Sequence, residues 1–98
     1  MIDIESWATL PPLERDLIIE KEIMGYPGAY TTDLNAAYLV VDEMIRLGCF
    51  VSIFQGPSTE KTCSIWDADK PAHLSKQVGK TVPEAICLAA IQFFRKHK

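Results

Sequence analysis

The chain has 98 residues, 48% of them hydrophobic against 23% charged, and a formal net charge of -3. That length makes one domain with one modest core, burying about 65% of the surface of the unfolded chain, and the apolar content excludes a disordered or low-complexity chain. The acidic balance lacks the positive field that gathers duplex nucleic acid by counterion release, no apolar run approaches the ~18 residues of a membrane span, and the acidic start Met1-Ile2-Asp3-Ile4-Glu5 lacks the layout of a signal peptide.

The expectation is therefore a single cytoplasmic domain over residues 1–98, with no duplex nucleic acid and no membrane as partner. Residues 1–12 end in Leu10-Pro11-Pro12. Each proline disfavours helix in the residue before it, so this stretch reads as an extended arm leading into a helix that starts near Leu13. Trp7 lies in that arm, which is too short to fold alone, and is expected to dock on the core or, by preference, on a neighbouring subunit. From Leu13 to Met24, Leu13, Leu17, Ile18 and Ile23 recur at near-helical spacing, with Glu14, Arg15, Asp16, Glu20, Lys21 and Glu22 on the other side. Gly25 is placed to stop this helix, and Tyr26-Pro27-Gly28-Ala29-Tyr30 reads as a loop.

Thr31-Thr32-Asp33 opens a second helix running to about Leu47, where either hydroxyl is suited to cap and Asp33 favours the positive end of the dipole. Leu34, Ala37, Tyr38, Val41, Met44 and Ile45 form its apolar stripe, widened by Leu39 and Val40, and Gly48 stops it. Residues 49–55 alternate Cys49, Val51 and Ile53 against Phe50, Ser52 and Phe54, a strand expected to be covered on both faces. After the turn Gln55-Gly56-Pro57-Ser58-Thr59, residues 61–66 alternate as a second, antiparallel strand. Asp67-Ala68-Asp69-Lys70-Pro71 breaks it, and residues 73–78 read as a third strand. Thr81-Val82-Pro83-Glu84 then has the spacing of a capping box with proline in the first turn, opening a last helix over about Val82 to Lys96. The fold class is α+β: helix, helix, three-stranded antiparallel meander, helix, arranged as an α/β/α sandwich.

Three pieces in this order resemble small phage and prophage proteins carrying the phage ABA sandwich domain. They are Met24-Gly25-Tyr26, then Tyr30-Thr31-Thr32-Asp33 with Ala36-Ala37 and Val40, and finally Thr81-Val82-Pro83-Glu84-Ala85-Ile86-Cys87 followed by Ala89-Ala90. The chain departs from the family pattern at Tyr26 and Tyr38, where tryptophan is expected, and at Leu88, where a basic residue is common. The resemblance implies an α/β/α layered unit and a virus-encoded, non-enzymatic accessory protein of the host-cell cytoplasm. By analogy with unrelated small phage proteins that act as oligomeric sponges, it suggests sequestration of a cyclic nucleotide signal of anti-phage defence.

The residues offer a candidate site for that ligand, shared between subunits of a homo-oligomer. Free N–H groups at a helix start attract phosphate and aromatic rings stack on bases, which singles out Tyr26, Tyr30 and Trp66 for stacking, with Thr31, Thr32 and Lys80 for phosphate. Asp33 argues the other way, as a carboxylate that repels an anion at the same helix start. The alternative is a host or phage protein gripped by apolar helix faces and the Trp7 arm. No catalytic residue, cofactor or metal is expected. Cys49, Cys63 and Cys87 are odd in number with no C-x-x-C spacing and read as buried reduced thiols. His73 and His97 share no ligand spacing with them, and Asp67 and Asp69 sit in a proline-containing turn that favours solvation over acid-base work.

Overall fold

A computed structural model of the chain describes residues 6–57 and 60–97. The acidic start at 1–5, Ser58 and Thr59 of the first hairpin turn, and Lys98 lie outside the described residues. After a short 3-10 turn at Trp7–Thr9, α1 spans Pro12–Ile19 and continues as a π-helical segment, Glu20–Met24. Helix α2 spans Leu34–Arg46, the strands are β1 (Cys49–Gln55), β2 (Lys61–Asp67) and β3 (Leu74–Gly79), and α3 spans Val82–His97. The α+β class and the order helix, helix, antiparallel meander, helix are as expected, with the strands in the order β1-β2-β3.

Local chemistry accounts for most boundaries. Gly25 and Gly48 adopt φ +82° and +92° at the ends of the first and second helical segments, left-handed conformations that cost a Cβ-bearing residue energy. At the start of α2 it is Asp33, rather than a threonine, that caps: its carboxylate accepts from the Asn35 N–H at 3.1 Å. The Thr81 hydroxyl accepts from the Glu84 N–H at 3.2 Å, as the capping pattern requires.

The core gathers Ile19, Ile23, Tyr30, Ala37, Val40, Val41, Met44, Cys49, Cys63, Ile65 and the inner side of α3, including Ile86, Ile91 and Phe93. Helix α3 lies along β2 and β3 and α2 meets β1 and α3. Both therefore sit over one face of the sheet, the one carrying Cys49, Cys63, Ile65 and Ser75. Contact there is close. A Cβ on Gly79 would stand 2.7 Å from the Ala85 backbone nitrogen, and the buried Ser75 hydroxyl donates to the Ala89 carbonyl at 2.8 Å while lying 2.7 Å from the Gln92 side-chain amide. At the far end of α3, Arg95 forms a bidentate pair with Glu22 of the π segment, at 2.9 and 2.8 Å.

Two expectations change. Trp7 is only 2% exposed and joins the core of its own chain, where the Arg15 side chain both reaches its backbone carbonyl (3.0 Å) and lies over its ring. It needs no neighbouring subunit to be covered. Strand β1, expected to be covered on both faces within an α/β/α sandwich, is covered on one side only: Phe50 and Phe54 are 55% and 70% exposed, because both helices that reach the sheet pack on its other face and leave the sheet as an outer layer.

Candidate functional site

The side of the sheet turned away from the helices is a register-fixed grid. Strand pairing aligns Phe50 with Trp66 and Leu74, Ser52 with Ser64 and Lys76, and Phe54 with Thr62 and Val78. Since successive side chains of a strand alternate between faces, these nine share one surface: two rows led by apolar groups flank a middle row of two hydroxyls and one ammonium. The Phe50 and Trp66 rings meet at 5.7 Å between centroids with a 32° tilt, within the range of favourable aromatic pairs. Phe54, Thr62, Ser64 and Lys76 line a shallow depression of about 420 Å³, large enough for a small organic ligand.

The surface holds apolar side chains in the open. Phe50, Phe54, Leu74 and Val78 are 55%, 70%, 49% and 46% exposed. With ~200 Å² for a fully exposed phenylalanine and less for the aliphatic pair, they present on the order of 400 Å², the size at which a patch on a single chain is often a binding surface. None of the nine side chains is a carboxylate, so Lys76 gives the face a positive character that the chain as a whole lacks.

The residues singled out from the sequence are scattered over three places. Tyr30 is fully buried and its hydroxyl donates to the Tyr26 carbonyl, so its ring has no free face for a base, which corrects that expectation. Burial pushes the Tyr30 hydroxyl pKa above its ordinary value, with Tyr26, Glu20 and Asp16 adding to the effect. Thr31 is 4% exposed, and its N–H and hydroxyl both donate to Asp16 Oδ1, at 2.8 and 2.7 Å. The donors that were to meet a phosphate are already held by an internal carboxylate, so the phosphate role of Thr31 is corrected too. Tyr26 and Thr32 are exposed at this loop, where Asp16, Glu20 and Asp33 make the surroundings acidic.

Trp66 alone of the six lies on the open face. Lys80, also exposed, follows the end of β3 at the opposite, Phe54–Val78 end of the sheet, about 20 Å along the strand direction from the Trp66 row at ~3.4 Å per residue. Phe50, Ser52, Phe54, Thr62, Ser64 and Lys76 were missed as a site. The signal for them was present in the alternation, since a second buried face would have left Ser52, Ser64 and Lys76 covered without partners.

Elsewhere the chemistry is quiet. Asp67 Oδ1 accepts from the Asp69 and Lys70 N–H groups at 2.8 and 3.2 Å, the work of a turn former. Cys49, Cys63 and Cys87 are buried and form no disulfide. Desolvation lifts the Cys63 thiol to about 12, and burial raises Cys87 as well, with Asp16 and Cys63 adding to it, so neither offers a ready thiolate. Among the described residues no group of three or more His, Cys, Asp or Glu side chains is arranged to hold a metal ion, and no helix is long and apolar enough to cross a membrane.

Fold and surface together define the class: a small α+β domain whose helices shield one side of an antiparallel three-stranded sheet and leave the other open. The phage ABA sandwich domain matches residues 5–91, and the chain belongs to that family. Membership points to a phage protein. No curated protein and no solved structure shows significant similarity to the chain.

Proposed function

We propose that this phage protein is a non-enzymatic accessory module that acts by binding, and that its ligand is a small anionic nucleotide, of the class of cyclic signals used in anti-phage defence, taken up on the open sheet face and held in a homo-oligomer. The observation that carries this reading is the combination on one surface of Phe50, Phe54 and Trp66 with Lys76 and the hydroxyls of Ser52, Thr62 and Ser64. Aromatic faces stack on bases without regard to sequence, an ammonium meets phosphate as a point charge, and hydroxyls serve as donors or acceptors to ribose and base edges. The Tyr26–Thr32 loop is not part of this site, because Asp16 occupies its donors.

Thermal melting against a panel of cyclic mono-, di- and trinucleotides tests the reading. A ligand bound only by the folded state raises the midpoint by mass action, by an amount that grows with ligand concentration above Kd. The expected result is a rise for at least one nucleotide that is lost in Lys76→Ala. An unchanged midpoint across the panel at ligand well above ~100 μM overturns it. A second reading, a module that grips a host or phage protein, is favoured by Leu13, Leu39 and Ile45, which are 72%, 43% and 55% exposed on the helices. One protein retained in stoichiometric amount from infected-cell lysate, and lost on Leu13→Asp or Ile45→Asp, selects it.

A further inference from the structure

We infer that the open sheet face is closed by a second copy of this chain, laid face to face about a two-fold axis running along β2, so that β1 of each copy lies over β3 of the other. The inference deepens the proposed function and rests on it only for what fills the space between the copies.

Area is the first argument. Two such faces, each with on the order of 400 Å² of apolar surface plus Trp66 and the hydroxyl row, bury roughly 1,100 Å² in total, just above the ~1,000 Å² that a specific interface requires. Self-complementarity is the second. A closed two-fold contact must match a patch to itself, and an axis along β2 sends each row of the grid onto the same row of the other copy. Phe50 then lies across from Leu74, and Phe54 across from Val78, so a large side chain meets a smaller one at both ends of each apolar row, as interdigitating sheets require, while Trp66 meets its own counterpart on the axis.

Charge selects this axis over the other simple choice. A two-fold perpendicular to the strands sets β3 on β3 and places Lys76 against its own counterpart, two like charges in a drying interface. The axis along β2 sets Lys76 across from Ser52 instead. Because β3 is an edge strand, the Lys76 stem can lie over the apolar rows while its ammonium reaches the rim. The middle rows of the two copies thus enclose a slot sealed along both sides by apolar contacts and flanked at opposite edges by two lysines. With no carboxylate among the nine side chains of either copy, the slot suits an anion flanked by aromatic rings.

Sedimentation equilibrium of the full chain over a concentration series tests the pairing. The expected mass is twice the 11.0 kDa of the chain, falling to that of a monomer in Phe54→Asp, with Leu13→Asp on the helical side remaining a dimer. A second measurement does not depend on the folding of an aspartate variant. Ser64→Cys lies on the axis, so a bis-maleimide spanning about 10 Å, the spacing of packed sheets, joins two copies of it and fails to join Thr32→Cys. A monomer at ~100 μM, where even a weak micromolar pair is mostly assembled, overturns the inference, as does a dimer that survives Phe54→Asp or is not joined through Ser64→Cys. A dimer whose melting no nucleotide shifts leaves the pairing standing and sinks the ligand; a nucleotide-dependent shift on a monomer does the reverse.

Discussion

The two faces of the sheet are built from the same strands in the same register, yet one is sealed by helix backbone and the other lies open. On the sealed face the buried side chains are small or compact: Cys49, Cys63, Ile65, Ser75 and the bare Gly79, which let α3 approach until a single added methyl would collide with Ala85. On the open face they are large, Phe50, Phe54, Trp66 and Leu74, interrupted by hydroxyls and Lys76. Small side chains bring a helix close and fix it. Large ones left without a cover store apolar area for an encounter with something else. The contrast teaches that size and polarity at alternate strand positions, more than total hydrophobicity, separate the face that the chain's own helices cover from the one they leave open.

The largest effect that would sharpen this contrast is Phe93→Ala, on the sealed side. Phe93 is fully buried, and its truncation should destabilise the fold by about 3–5 kcal/mol, read as a lower midpoint in urea unfolding. Gly79→Ala comes next, at about 1–3 kcal/mol, because backbone rather than a mobile side chain stands at 2.7 Å; an unchanged urea midpoint would show that the β3–α3 corner is loose. Thr81→Ala removes the bond to the Glu84 N–H and should cost about 1 kcal/mol by the same measurement.

Alkaline pH tests the sealed face without mutation. Cys63, with a thiol lifted from 9.0 to about 12, and Cys87, raised as well, stay protonated in the fold and ionise in the unfolded chain. The unfolded state then binds fewer protons, so their contribution to stability is complete below pH 9 and is lost as pH rises toward 12. The thiols should also resist alkylation at pH 8 until denaturant is added. The smallest effect belongs to the open side: Phe54→Ser, measured at a dilution where the chain is monomeric, should change stability by less than about 0.5 kcal/mol. A cost comparable with that of Phe93→Ala would abolish the distinction between the faces.

Much of the fold was legible because its signals are local. Glycine stops at Gly25 and Gly48, the Thr81 cap and the period-two alternation of the strands each act within a few residues, and the order of elements followed from them. The π-helical segment was not legible, since Glu20–Met24 carries the same spacing as an ordinary helical turn. Nor were the contacts that join distant parts: Trp7 with the core, Arg95 with Glu22 across 73 positions, and Thr31 with Asp16 across 15. The candidate site suffered most. A helix start with nearby hydroxyls reads as an anion site until the structure brings a carboxylate to it, and the open face becomes visible only when register aligns Ser52, Ser64 and Lys76 in one row.

The tight corner at Gly79 seats α3 directly on the end of β3, strand and helix backbones meeting there without an intervening side chain. Among the described residues Phe50 and Phe54 stay exposed on the opposite side, and a molecule docking there would find a surface already shaped by strand register, so that little ordering would stand between collision and capture.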